Sequence, residues 1–288
     1  MKRKSLRAFS LLELLVVIAI VSFLTGILLP ALGKVRYQAR MIVDTNNKRQ
    51  IMMGVSMFAS DNDGQYPESV ATIGDYNYWN WQEPMMLTGY RARSPRMHRS
   101  MSAYLRSYIQ DADIMYCPNA PQKYKYLRDA WDAGDEWDNP ETGPVEDPVS
   151  GTYCFYWNYT GYLEDRDYLF KGPRSSAAGR GQSKLLVSDY FGYDHHRSPN
   201  CYGSCERFAG ASITEGTLLS SAYWSRRDSA GSVTPEIKLR AGYVDGHIEK
   251  YSSSDTLTMR VIWKPETGEP YPYGIGPGNF YLPRNALH

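Results

Sequence analysis

The chain opens with a basic segment that leads into a long apolar stretch. Residues 14–33 carry no charged side chain and are mostly Leu, Ile, Val and Ala. An α-helix rises ~1.5 Å per residue, so a stretch of this length spans about 30 Å, the thickness of the hydrocarbon core of a bilayer. The pattern therefore predicts a transmembrane helix over residues 9–33.

A cleaved secretory signal peptide is the alternative interpretation of this stretch. Such a peptide has ~7–15 apolar residues and then a cleavage site of small residues. The stretch here is longer, and the Gly-Lys-Val-Arg segment at residues 33–36 that follows it is a poor cleavage site, which favours an uncleaved span. Four basic residues precede it, and positive charge on that side predicts a cytoplasmic N-terminus and export of the rest of the chain; these residues are Lys2, Arg3, Lys4 and Arg7.

Helical periodicity continues beyond the apolar stretch. Met52, Val55 and Ala59 recur at helical spacing, which predicts an extension of the helix over residues 34–63. The wholly polar residues 44–50 are predicted to form an exposed neck within this extension. The run Asp-Asn-Asp-Gly at residues 61–64 predicts the end of the helix, with Gly64 as a left-handed cap. The same run resembles only an incomplete calcium loop, so turn chemistry is the preferred interpretation.

From residue 64 onward, short apolar runs alternate with loops. This pattern predicts an α+β fold, in which one long helix packs on a small antiparallel β-sheet head that extends over residues 64–288. A type I′ hairpin is predicted around Asp245-Gly246. The other predicted elements are a helix at 102–109, strands at 114–117, 152–159 and 184–189, and one regular element at 256–263.

Three loop segments have a distinctive composition. Residues 129–150 contain eight acidic and no basic side chains and are predicted to be an exposed insertion. Residues 91–99 contain four arginines. Both charged segments are interpreted mainly as solvated faces, with contact between neighbouring subunits as the alternative. The Gly/Pro-rich tail at 265–283 is predicted to wrap the surface in an extended form.

The composition is that of a globular protein with many aromatic residues. Hydrophobic residues make up 42% of the 288 residues, and the net charge is only +1, so no charge excess indicates a nucleic-acid partner. The chain has 24 tyrosines and 7 tryptophans, and residues 76–81 and 153–159 are dense aromatic segments. Core packing is the preferred interpretation of these clusters, and a glycan-binding surface is the alternative.

The four cysteines are predicted to lie outside the cytoplasm, where disulfides form. One possible pairing closes a small loop between Cys201 and Cys205 and leaves Cys117 with Cys154, although four cysteines allow three pairings. Zinc binding by cysteines with His195 or His196 is less favoured, because paired Cys-x-x-Cys motifs are absent.

The sequence offers little support for enzymatic activity. Asp194-His195-His196 is reminiscent of a metal phosphoesterase motif, but the other aspartate motifs of such a site are not identifiable. A nucleophile elbow and a His-Glu-x-x-His motif are both absent from the sequence. The prediction is a protein that is not an enzyme and has no catalytic residue, cofactor or metal ion.

Residues 8–20, Ala-Phe-Ser-Leu-Leu-Glu-Leu-Leu-Val-Val-Ile-Ala-Ile, resemble the cleavage and methylation segment of type IV prepilins and type II secretion pseudopilins. The resemblance implies a basic leader at residues 1–8, cleavage by prepilin peptidase between Ala8 and Phe9, and methylation of the new Phe9 amine. Glu13 is the fifth residue of the mature chain, where the family has a glutamate, and Pro30 is the twenty-second, where the family often has a proline. The resemblance therefore implies that both residues act in assembly. Ala8 departs from the glycine that is usual before the cut.

A second resemblance lies near the C-terminus. Residues 244–248, Val-Asp-Gly-His-Ile, are similar to the Asp-Gly-His segment of a prepilin-type processing-associated family. That family often has a histidine ten residues before the aspartate, where this chain has Pro235. Only half of that pattern is therefore present.

These resemblances imply a pseudopilin-like structural subunit of a type II secretion or type IV pilus-like filament. Its expected partners are prepilin peptidase, other pilin-like subunits and the bacterial inner membrane, with a single pass, a cytoplasmic N-terminus and a periplasmic or extracellular head. The alternative is a membrane-anchored, extracytoplasmic polysaccharide-binding protein that is exported by the prepilin route.

Overall fold

The computed structural model describes the long N-terminal helix and most of the head. The described residues are 11–72, 83–88, 99–120, 126–137, 149, 151–166, 168–177, 179–193, 201–202, 238–252, 255–264, 266–272 and 279–287. The chain divides into two compact units, Met1–Ile42 and Val43–His288.

Helix α1 (Leu11–Asp61) is continuous over 51 residues and contains Pro30. It ends at the predicted place, because Asp63 and Gly64 adopt left-handed conformations with φ of 52° and 77°. The Gly64 amide then donates to the carbonyl of Ala59 over 2.8 Å, which satisfies one of the carbonyls left without a partner at a helix C-terminus.

In the described part of the head, two short helices and three 3₁₀ turns accompany the sheets. Helix α2 (Met101–Leu105) covers the first half of the helix predicted at 102–109, and α3 (Leu127–Ala133) follows later. The 3₁₀ turns are Ala112–Met115, Gly134–Glu136 and Arg284–Leu287. The strand predicted at 114–117 is wrong, because the Asp111 side chain accepts a hydrogen bond from the Asp113 amide over 3.0 Å and starts a 3₁₀ turn there.

The described strands form antiparallel sheets, which confirms the predicted α+β class. The strands are β1 (Tyr153–Phe155), β2 (Thr160–Leu163), β3 (Tyr168–Lys171), β4 (Leu185–Asp189), β5 (Gly192–Tyr193), β6 (Cys201–Tyr202), β7 (Lys238–Tyr243), β8 (Ile248–Ser252), β9 (Thr256–Arg260), β10 (Ile262–Lys264), β11 (Glu269–Pro270) and β12 (Asn279–Pro283). One sheet has the order β1-β4-β7-β8, a larger one has the order β3-β2-β9-β12-β5-β6, and β10 pairs with β11.

The hairpin predicted around Asp245-Gly246 joins β7 and β8. Its turn is not of type I′, which needs positive φ at both central residues, because Gly246 has a φ of 85° while Asp245 does not have a positive φ. The Gly246 amide instead donates to the Tyr243 carbonyl over 2.9 Å, and the Asp245 side chain accepts from the His247 amide over 3.2 Å.

The C-terminal half of α1 packs against the sheet β1-β4-β7-β8. Ile51, Met52, Val55 and Ala59 lie on the buried face of the helix, as the periodicity predicted. The backbone of β7 approaches this face closely, since a Cβ atom added to Gly242 would lie 2.5 Å from Met52 Sδ. Glycine at this position therefore allows the helix to rest on the sheet.

The exposed neck predicted for residues 44–50 is wrong. Asp44 and Lys48 are completely buried, and Asn47 is nearly so. Exposed polar residues alternate with them at helical spacing, so the stretch has one buried and one exposed face. The buried polar groups are tolerated because they bind one another and the sheet, as described below.

Two further segments are less exposed than predicted. Within the acidic segment 129–150, Trp131, Trp137 and Val149 are buried, because α3 and the following 3₁₀ turn pack on the core; residues 138–148 and 150 lie outside the described part. The end of the tail predicted to wrap the surface is also buried. It forms β12, which lies between β9 and β5 in the larger sheet.

Candidate functional site

The N-terminal part of α1 exposes apolar side chains on every face. Its large hydrophobic residues from Leu11 to Val35 are Leu, Ile, Val or Phe, and they are 46–87% exposed. By length and composition α1 is able to cross a membrane, and its most apolar part is not buried within the chain. A helix that is apolar all round is suited to a lipid or protein environment rather than to water.

The structure describes two of the residues predicted for processing and assembly. Glu13 lies in the first turn of the described helix and is exposed, and Pro30 lies in the helix interior. Proline lacks an amide hydrogen, so the carbonyl of Gly26 has no i→i+4 donor at this position. The predicted cleavage site at Ala8 and Phe9 falls outside the described residues.

A buried charge cluster, consisting of Asp44, Lys48, Tyr153 and Asp189, joins α1 to the sheet. Each of its side chains is at most 1% exposed. The Lys48 ammonium donates to both Asp44 oxygens over 2.8 and 2.7 Å, and its Nζ lies 2.6 Å from Asp189 Oδ1. The Tyr153 hydroxyl donates to Asp44 Oδ1 over 2.8 Å, and the ring of Tyr153 lies 4.3 Å from Lys48 Nζ.

Asp189 has a distinct environment at the end of β4. Its Oδ2 accepts a hydrogen bond from the Arg240 backbone amide over 2.8 Å, and its Oδ1 lies 2.6 Å from Lys48 Nζ. Burial raises the pKa of the Asp189 carboxyl to about 6, although the Lys48 ammonium acts in the opposite direction. Burial likewise raises the pKa of the Tyr153 hydroxyl, and the two neighbouring carboxylates add to this rise.

The sequence signal for this cluster was present only in part. Asp44 and Lys48 have the i, i+4 spacing of a helical ion pair, which usually predicts an exposed contact. Asp189 ends a run of apolar residues in a predicted strand, but nothing in its sequence neighbourhood indicates a partner on a distant helix.

The cysteines do not follow the proposed pairing. Cys117 is disulfide-bonded, with a partner outside the residues whose side chains are described, while Cys154 is a buried free thiol. The predicted bond between Cys117 and Cys154 is therefore wrong. Cys154 lies in β1 opposite Ser188 of β4, and burial raises the pKa of its thiol. Cys201 lies in β6 and Cys205 lies outside the described residues.

The Asp-Gly-His segment forms an exposed turn. His247 Nδ1 lies 2.5 Å from Asp245 Oδ1, and the His247 ring stacks on Tyr243 with centroids 4.4 Å apart. Both the aspartate and the histidine side chain are more than half exposed. No group of three potential metal ligands occurs among the described residues; Asp194, His195 and His196 lie outside them.

The described aromatic cluster is part of the core. Tyr153, Tyr156, Trp157 and Tyr159 are at most 1% exposed, which confirms the packing interpretation for residues 153–159. Buried rings have no free face on which a sugar could stack. The other cluster, at residues 76–81, lies outside the described part of the chain.

Among the residues that the structure describes, one contact joins the basic and acidic segments within the chain. Arg99 Nη1 lies 3.0 Å from Asp135 Oδ2, and the same carboxylate accepts from the Ser100 amide over 2.6 Å. The other three arginines of the basic segment lie outside the described residues.

A long apolar helix followed by antiparallel sheets is the α+β, pilin-like arrangement. Residues 3–29 match the prokaryotic N-terminal methylation motif, so the chain carries a prepilin-type N-terminal segment. No significant match to a curated protein or to a solved structure was found.

Proposed function

We propose that the chain is a pseudopilin-like structural subunit of a type II secretion or type IV pilus-like filament. The observation that carries this proposal is the methylation motif at residues 3–29 on a helix whose apolar side chains are exposed all round. Such a helix is costly in water and is stabilised by lipid before assembly and by neighbouring helices after it.

In this proposal, prepilin peptidase removes residues 1–8 and the Phe9 amine is methylated. The basic leader holds the N-terminus in the cytoplasm, and the head lies on the other side of the inner membrane. The head is proposed to be structural rather than enzymatic. Among the described residues, the polar cluster around Lys48 is closed to solvent, so a substrate in solution cannot reach it.

Glu13 is proposed to guide assembly. A carboxylate within an apolar helix is costly at membrane depth unless a cation approaches it. The Phe9 ammonium of a neighbouring subunit supplies that cation, and the pair fixes the stagger between adjacent helices. Removing one partner leaves a charge in a medium of low dielectric constant, which costs several kcal/mol.

The alternative of a polysaccharide-binding protein has less support. Its sequence argument relied on two aromatic clusters, and the rings of the cluster at 153–159 are buried. Only residues 76–81, outside the described part, remain as candidates for sugar stacking.

A Glu13→Val variant tests the proposal. We expect membrane insertion, leader removal and head stability to stay near wild type, because valine suits an apolar helix and the head has a separate core. Crosslinking between subunits in membranes should fall sharply, since the neighbouring amine loses its acceptor.

Thr25→Val is the matched control in the same helix. Its hydroxyl donates to the Val21 carbonyl of its own helix over 2.9 Å, so its loss removes a polar group without affecting a proposed intersubunit pair. Crosslinked ladders that persist unchanged in Glu13→Val, together with glycan binding by the head, would replace the filament proposal with the anchored binding protein.

A further inference from the structure

The buried charge cluster contains the groups needed to form an amide bond between two side chains. An amine, a carboxyl group that can act as the electrophile and a second carboxylate that can carry protons meet where water is excluded. The proposed function uses none of this chemistry. From this geometry we infer that Lys48 and Asp189 form an intramolecular isopeptide bond, with Asp44 as the proton carrier.

Proximity is the first support for this bond. Lys48 Nζ lies 2.6 Å from Asp189 Oδ1 in a pair that is closed to solvent. The nitrogen is therefore held within reach of the Asp189 carboxyl group. Reacting groups that are held together in this way gain effective molarities of ~10⁵–10⁸ M over free solutes.

Asp189 is the better electrophile of the two carboxyl groups. Its Oδ2 accepts from the Arg240 amide over 2.8 Å, and this donor can stabilise negative charge that develops on Oδ2 during attack. Burial also favours its neutral acid form, since the pKa of Asp189 is raised to about 6. A neutral acid is far more readily attacked by an amine than a carboxylate is.

Asp44 is placed to carry protons rather than to be attacked. Both of its oxygens accept hydrogen bonds from Lys48 Nζ, and Oδ1 also accepts from the Tyr153 hydroxyl. Its carboxylate can thus take a proton from the ammonium over a distance of less than 3 Å.

The reaction balances without an oxidant or a further reactant. It starts from the Lys48 ammonium, the Asp44 carboxylate and the neutral Asp189 acid. Asp44 accepts an ammonium proton, the free amine attacks Cγ of Asp189, and a carbon–nitrogen bond forms while charge collects on Oδ2. Asp44 then passes its proton to Oδ1, which leaves as water, and it takes up the second proton released by the nitrogen.

The products explain why this environment favours the reaction. The cluster begins with two opposite buried charges and ends with a neutral amide and a neutral Asp44 acid. Buried charges carry a desolvation penalty of several kcal/mol each, which their attraction only partly offsets. The amide removes that penalty and links α1 covalently to β4.

Mass analysis of the full chain, extracted from membranes and reduced, tests this inference. We expect the measured mass to be lower, by the mass of one water, than the mass calculated for the same chain without the bond. Trypsin should yield one joined species in which residues 41–49 are linked to residues 185–197, because the modified Lys48 is no longer cleaved. A full mass, with residues 41–48 and 185–197 recovered separately from folded protein, would overturn the inference and leave a buried salt bridge only.

Two isosteric variants, at Asp44 and Asp189, identify the roles, and a third, at Asp61, is the control. Asp44→Asn should fold but remain unlinked, whereas Asp61→Asn, at the exposed end of the same helix, should remain linked. Equal linkage in Asp44→Asn would overturn the role of Asp44. Asp189→Asn should lose the mass of one ammonia instead of one water, and a continued loss of water would overturn Asp189 as the electrophile.

Discussion

Replacing Lys48 by methionine is the sharpest test of how the head is held together. Lys48 is completely buried and lies between two buried carboxyl groups, those of Asp44 and Asp189. Methionine matches the length of the lysine stem but leaves both carboxyl groups without their lysine partner. The change also removes any covalent bond to Asp189, and both losses destabilise the head.

The magnitude follows from the burial of the cluster. Removing one partner of a buried ion pair costs ~3–5 kcal/mol of unfolding free energy. For a body as large as Val43–His288, each kcal/mol corresponds to about 2–4 °C in Tm. We therefore expect Lys48→Met to lower the Tm by roughly 6–20 °C.

Thermal unfolding of the full chain in detergent, followed by tryptophan fluorescence, measures this effect. Trp131, Trp137 and Trp157 are buried in the head and report its unfolding. Arg49→Met is the matched control, because it removes the adjacent basic side chain from the exposed face of the same helix. Its effect should stay within about 0.5 kcal/mol. Equal Tm values for the two variants would refute the argument that the cluster holds the helix to the sheet.

Two further predictions concern the cysteines and one close backbone contact. Cys117 is disulfide-bonded and Cys154 is free, so thiol counting under denaturing conditions should give two thiols per chain without reductant and four with it. Cys154 is buried and should react only after unfolding. Four thiols without reductant would contradict the disulfide bond. Gly172→Ala should destabilise the head by at least ~1–3 kcal/mol in the same fluorescence assay, because its Cβ would lie 1.6 Å from the Tyr156 carbonyl oxygen. Gly179→Ala, whose nearest neighbours are 3.7 Å away, should be close to neutral, and similar effects of both changes would argue against that contact.

Elements with local signals could be predicted from the sequence. The long helix, its end at residues 61–64 and the strand at 185–189 all have periodicity or turn chemistry within the segment itself. The β7–β8 hairpin was predicted for the same reason. Its turn type was not, because the Asp245 side chain binds the His247 amide and favours a different backbone conformation.

Elements that depend on distant partners could not be predicted. Strand β12 lies in a Gly/Pro-rich tail, and its burial follows from pairing with β9 and β5 rather than from local propensity. The run at 114–117 is apolar enough for a strand, but its first two residues belong to the 3₁₀ turn Ala112–Met115. Cysteine pairing has the same limit, because burial of Cys154 in β1 is a property of the folded sheet.

The buried charge cluster is the clearest case of this limit and explains why the neck prediction failed. A polar stretch in a helix is normally solvated, since burial of unpaired charge is costly. Within α1, Asp44 and Lys48 can pair with each other, but one helical turn cannot shield the pair from water. Asp189, Tyr153 and the Arg240 amide supply the remaining partners from three different strands. A polar residue at a core position of a long helix is therefore a reason to search the strands for its complement, and here that complement also completes the chemistry proposed for Lys48.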